Sequence, residues 1–200
     1  MKRILYLLLL MLPIISMAQK KGENIAKYLT GAVPVENGKV VFKKQFQAPL
    51  NVNEMYSTVT EWANQNYQPI EAMPNHKVLS SNDESYELTV GGEEYLVFAN
   101  RLLSLDRTRI YYKVKIICHD KQCTANIYDI RYWYEEEREG GERYTAEEWI
   151  TDKWGLNKKG TKLSRMSGKF RRKTIDRVEE LFADLETTIN RKAVQKMMKE

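Results

Sequence analysis

The sequence predicts an α+β fold: a twisted antiparallel sheet of about six strands with two main helices on one face, in the order strand, helix, strands, helix. Three observations predict it. Residues 106–137 hold two runs of alternating apolar and polar side chains around the turn His119-Asp120-Lys121-Gln122. An apolar stripe at three- and four-residue steps follows Asn51, and a second runs from Ile175 to Ile189. One sheet face and two helix stripes can bury each other, which is the economical solution for such a chain.

Taken in order, residues 1–18 read as a secretory signal peptide. Lys2 and Arg3 start it, an apolar run from Ile4 to Ile15 follows, and Ser16-Met17-Ala18 has the small residues of a cleavage site. The apolar run is too short to anchor the chain in a bilayer. Cleavage near Ala18 leaves 182 of the 200 residues and lowers the net charge from +5 to +3. That is enough chain for one domain with its own core, and too mild a charge to imply a particular partner. The mature chain is expected in the periplasm or secreted, with no transmembrane segment. The expected divisions are a flexible leader over residues 19–30, one domain over 31–190 and a frayed tail over 191–200.

Asn37-Gly38 turns the chain into a first strand over Lys39 to Ala48. Asn51 then caps a helix with Glu54 at its third position, and Leu50 staples onto Met55. Its stripe is Val52, Met55, Tyr56, Val59, Trp62 and Ala63, fading near Asn66 before Pro69. Three short strands follow: Lys77 to Ser80, Ser85 to Val90, and Glu93 to Ala99, the last two separated by a turn at Gly91-Gly92. A connector with Leu102, Leu103 and Leu105 leads to the long hairpin.

In that hairpin Ile110, Tyr112, Val114, Ile116 and Cys118 share one face. Pairing Cys118 with Cys123 puts Asp129 and Arg131 on that apolar face, unless a bulge near Tyr128 flips the parity. The bulge is the preferred reading, since it replaces two buried charges with an apolar row. The two cysteines, the only ones in the chain, form either a structural disulfide, which export permits, or two buried thiols. A metal site is not expected, because His119 alone would have to complete it.

Beyond the hairpin the charge changes sign. Residues 135–148 carry seven Glu and two Arg, while 153–173 carry nine Lys or Arg and no acid. Thr145 to Trp149 reads as a short helix with a threonine cap, and Gly155, Gly160 and Gly168 make the basic stretch a turn-rich excursion. The two runs are expected to fold against each other. Alternatively Lys158, Lys159, Lys162, Arg165, Arg171, Arg172 and Lys173 form a patch for an anionic partner. The second helix closes the domain.

Four stretches also resemble a known family: GAVPVENGKVVF at Gly31 to Phe42, GGEEYLVF at Gly91 to Phe98, LSLDRTRIYY at Leu103 to Tyr112, and Arg131 to Asp176. The chain resembles an exported bacterial domain of unknown function with a TBP-like fold, frequent in Bacteroides-type bacteria. The resemblance implies the fold and supplies no activity or catalytic residue.

The sequence holds no G-x-S-x-G, P-loop, H-E-x-x-H or G-x-G-x-x-G. No enzyme and no cofactor is therefore expected, an unseen hydrolase being the weakest reading. Nucleic acid is not expected either, because an exported chain rarely meets it. The expected function is a non-enzymatic binding domain. A groove between sheet and helix would be walled by Tyr56, Trp62, Tyr95, Phe98, Tyr132 and Trp133, and the ligand would be an envelope protein, a glycan or a small apolar molecule. The alternative is a docking subunit of a cell-envelope complex, held through the charged segment after the hairpin.

Overall fold

The computed structural model describes residues 25–101 and 104–199. The expected signal peptide and the first part of the leader lie outside them. Eight strands are described: β1 (Val35–Glu36), β2 (Lys39–Val40), β3 (Phe42–Gln47), β4 (Lys77–Asn82), β5 (Glu87–Arg101), β6 (Ser104–His119), β7 (Gln122–Tyr134) and β8 (Glu142–Thr145). The helices are α1 (Val52–Asn66), α2 (Ala146–Trp149), α3 (Asp152–Gly155) and α4 (Gly168–Met197), after a 3-10 turn at Ile25–Tyr28. β1 and β2 form a small hairpin of their own, and the other six make one antiparallel sheet in the order β3-β7-β6-β5-β4, with β8 on the far end of β7.

The inner face of this sheet is the core. From β6 it takes Ile110, Tyr112, Val114, Ile116 and Cys118, and from β7 Cys123, Ala125, Ile127, Ile130 and Tyr132. The change of parity between Ile127 and Ile130 is the bulge the pattern asks for. Tyr111 pairs with Arg131, but Lys113 pairs with Tyr128, so one strand holds an extra residue. Asp129 takes up the kink at φ 53, and Asp129 and Arg131 turn outward. Tyr132 accordingly goes into the core.

Both long helices lie on that inner face. α1 starts at a reciprocal capping box, with the Glu54 N–H donating to Asn51 Oδ1 at 2.9 Å and the Asn51 N–H to Glu54 Oε2 at 2.8 Å. Trp62 on α1 donates to Asp184 of α4 at 2.6 Å. α4 buries Ile175, Val178, Leu181, Phe182, Leu185 and Ile189 as its spacing requires.

Four expectations need correction. Gly91-Gly92 is not a turn: β5 runs through it without a break. An added Cβ on Gly92 would stand 2.1 Å from the Tyr112 ring, so the glycine lets that ring lie flat on the sheet. α4 begins at Gly168 and continues to Met197, inside both the basic excursion and the supposed frayed tail. Lys196 ties its end to Glu54 at 2.8 Å. The described part of the leader is held down, with Tyr28 buried and Lys27 bonded to Asp176 at 2.8 Å. Finally, the acidic and basic runs do meet, Tyr144 and Phe170 having ring centroids 6.4 Å apart, but these charges pair elsewhere. Glu136 meets Arg109 and Glu137 meets Arg107 on β6, while Lys169 meets Asp106 and Arg171 meets Asp152.

Candidate outer-face binding site

Among the described residues no helix covers the other face of the sheet, and pairing lays its side chains out as a grid. One rung is Glu93, Tyr111, Arg131 and Thr145 across β5, β6, β7 and β8. The next is Tyr95, Arg109, Trp133 and Arg143. Period-2 alternation on β6 puts Arg109, Tyr111, Lys113 and Lys115 here because their neighbours are core.

Glu93 is only 2% exposed on this face, because the loop before β4 folds over it. The Asn75 N–H and side-chain amide both donate to Glu93 Oε2, at 2.9 and 3.0 Å. Arg109 donates to the other oxygen at 2.8 Å. The rest of that guanidinium is also used, on Glu136 Oε2 at 2.8 Å and Oε1 at 3.2 Å, the Tyr95 hydroxyl at 2.6 Å and the Ala72 carbonyl at 2.6 Å. A guanidinium has five N–H donors, so Arg109 is saturated and acts as a positioning residue. Burial works to raise the Glu136 carboxyl, but hydrogen bonds from Arg109 and Tyr95 outweigh it and hold the group below its ordinary value. It is therefore an ionised partner at neutral pH. This network is the base of a polar cleft of about 520 Å3 that Arg107, Trp133 and Glu137 help to line.

One rung away lies a trough of about 500 Å3 with a different character. Tyr111 and Arg131 line it together with Gly91, Lys113, Arg143 and Glu148. Gly91 sets one wall: a Cβ there would meet the Asn75 carbonyl at 2.7 Å, so its absence lets loop and β4 approach the sheet. The opposite wall is Thr145 and Glu148, fixed where Thr145 caps α2. Among the cations, Lys113 and Arg131 share Asp129 at 2.9 and 3.4 Å. Arg143, which also lines the trough, stacks its guanidinium on the Trp133 ring, 4.1 Å from its centroid. Burial and the nearby Glu93 raise the Tyr111 phenol above its ordinary value, so it stays neutral.

The structure divides the expected aromatic wall between two faces. Tyr56, Trp62 and Tyr132 are buried in the core, and Phe98 packs on Phe170 with ring centroids 4.6 Å apart. Only Tyr95 and Trp133 stand on the outer face. The core face and α4 enclose a cavity of only about 10 Å3. The open groove of about 740 Å3 between β5 and α4 is lined mainly by charged side chains such as Lys27, Glu94, Lys173 and Arg177, with Tyr95 the one member of the expected wall in it. The expected basic patch is divided as well. Lys158, Lys159, Lys162 and Arg165 are exposed, but Arg171 is 0% exposed and clamps the Tyr28, Leu29 and Ile150 carbonyls at 2.6, 2.6 and 2.7 Å. Arg172 is half-buried beside it. Arg171 is thus a structural tie, and burial lowers its pKa despite Asp152. Cys118 and Cys123 face each other as buried thiols. Nothing local in the sequence marks Arg131 or Arg143 as site residues, although a bulge near Tyr128 turns Arg131 outward.

Residues 42–133 match the family described as a domain of unknown function (DUF4468) with TBP-like fold. A DUF4468 family protein from Bacteroides ovatus ATCC 8483, known from its crystal structure, is 37% identical, with a TM-score of 0.74 over 84% of this chain and 95% of that one. A TBP-like protein from Parabacteroides distasonis ATCC 8503 is 23% identical and shares the fold, with a TM-score of 0.62 over 79% of this chain and 97% of that one. No curated protein sequence matches the chain. Among the described residues, no helix is long and apolar enough to cross a membrane.

Proposed function

Because the chain belongs to the DUF4468 family with its TBP-like fold, its role rests on its own side chains, and we propose that it is an exported binding domain for acidic glycans. The outer sheet face is the binding surface. Export rests on the charged start, apolar run and small-residue cleavage site of residues 1–18.

The observation that carries the reading is the trough over Tyr111. Tyr111 lines it with a half-buried ring, the Arg131 guanidinium 6.0 Å from the ring centroid, and the ring offers apolar surface to a sugar ring. Lys113, Arg131 and Arg143 around it face the lining carboxylate Glu148, and with Asp129, which Lys113 and Arg131 share, the cations lead by three to two. A uronic-acid residue presents both chemistries at once, a ring face and a carboxylate, and guanidinium groups match carboxylates in a bidentate fork. The second cleft lies on the adjoining rung, so an extended polymer can run along β6 and β7 across both. The walls are preorganised by the saturated Arg109 network, which lowers the ordering cost of binding. A small apolar ligand is disfavoured by the closed core.

Calorimetric titration of the mature chain with polygalacturonate, with neutral dextran as the control, tests this. Saturable binding to the acidic polymer alone is expected, weakening with salt because the contacts are exposed charges. Tyr111→Ala and Arg143→Gln each weaken it about tenfold. No binding, equal binding of dextran, unchanged affinity in both variants, or tighter binding of a single-stranded oligonucleotide than of the glycan contradicts the proposal.

A further inference from the structure

Cys118 and Cys123 are directly opposed in the β6–β7 register. The Cys118 N–H donates to the Tyr86 carbonyl at 3.0 Å, toward the β5 side. It therefore points away from β7, which makes Cys118–Cys123 a non-hydrogen-bonded pair. In that class opposed Cα atoms come closest, at about 4.5 Å, inside the span a disulfide bridges. Both side chains point into the core and are 1% and 0% exposed.

The turn between them holds other elements in place. The Asp120 carboxylate accepts the Val52 N–H at the start of α1, at 3.0 Å. The Lys121 N–H donates to the Leu50 carbonyl at 2.9 Å, and the Lys121 carbonyl accepts the Ala48 N–H at 3.0 Å. The hairpin tip thus supports the end of β3 and the cap of α1 together.

We propose that Cys118 and Cys123 are the site of an intramolecular disulfide, formed while the chain folds and sealed in when the core closes. The oxidant is a protein disulfide of the thiol-oxidoreductase class, or a small-molecule disulfide in vitro. The thiolate of one cysteine attacks the oxidant's disulfide, forming a mixed disulfide and releasing one oxidant thiol. The second cysteine, as thiolate, displaces the other oxidant sulfur and forms the Cys118–Cys123 bond. Two protons and two electrons leave the pair, and the oxidant's disulfide takes up both electrons. The bond locks the tip that carries the α1 cap, and its burial shields it from exchange.

Only the supply of oxidant in the cell rests on the export reading, and two measurements separate the two. The mature chain is refolded with reduced and oxidised glutathione, unfolded without reductant in an alkylating agent, and weighed by mass spectrometry. Neither cysteine is expected to be alkylated. Dithiothreitol is expected to reduce the bond only once denaturant is present. Melting is expected at a lower temperature after reduction, a drop absent from the Cys118→Ala, Cys123→Ala double variant. Alkylation of both cysteines after oxidising refolding, or equally fast reduction in the folded and unfolded chain, overturns the disulfide. A chain that oxidises on refolding but is recovered fully reduced from its native cells overturns the exported setting.

Discussion

Glu93 shows most clearly how this molecule uses charge. Its carboxylate is buried on the face away from the core, with Arg109 as its ion-pair partner at 2.8 Å and Asn75 filling its other oxygen. Removing one member of a buried pair strands the other, at a cost of about 3–5 kcal/mol, whereas replacing both by apolar residues is often nearly neutral. Urea unfolding of Arg109→Met is therefore expected to show a loss of that size, and adding Glu93→Leu to that variant to cost less than it does in the wild type. The double variant stays less stable than the wild type, because Glu136 and Asn75 still lose partners. An additive double variant contradicts the pairing. Glu136 adds a pH dependence. Its folded pKa is depressed, so the unfolded state binds more protons as pH falls through the carboxylate range. The stabilisation is complete above the unfolded value of about 4.3 and is lost as pH drops through the lower folded value. Melting temperatures of the wild type should fall more steeply below about pH 5 than those of Glu136→Gln, and parallel curves would argue against the assignment.

Among the elements, legibility followed the strength of the local pattern. The capping box, the α1 and α4 stripes and the opposed cysteines are set by short-range spacing, and each stands where the sequence puts it. The β7 bulge was legible too, because the alternative buried Asp129 and Arg131. The reading failed where a distant partner decides. Gly91 and Gly92 look like a turn in isolation, but one lies under the Asn75 carbonyl and the other under the Tyr112 ring, and neither partner is close in sequence. Gly92→Ala is accordingly expected to be far more damaging than the propensity difference alone, because Tyr112 must leave the core position it holds. Circular dichroism and urea unfolding measure this, and wild-type stability in that variant would refute the close approach. α4 was misjudged at its start for a related reason. Arg171 and its cationic neighbours read as surface, yet Arg171 is consumed by three backbone carbonyls and Asp152.

At the scale of the whole molecule, one inner face and two helices absorb the apolar side chains, which leaves the outer face to specialise. The bulge at Asp129 couples these roles. It sends Ile130 and Tyr132 into the core and, by the same shift, brings Arg131 onto the outer rung beside Tyr111. Tyr132 and Trp133 are consecutive on β7 and face opposite sides, so the expected aromatic wall cannot form one surface. A fold shared with the Parabacteroides distasonis protein at 23% identity carries no function with it, so the binding surface has to be tested on this chain directly. The most direct measurement is amide chemical-shift mapping of the mature chain during titration with polygalacturonate. Saturating shifts centred on Gly91, Tyr111, Arg131 and Arg143 and spreading toward Trp133 are expected. Shifts confined to the 158–165 loop, or none at all, would contradict the assignment of the outer face.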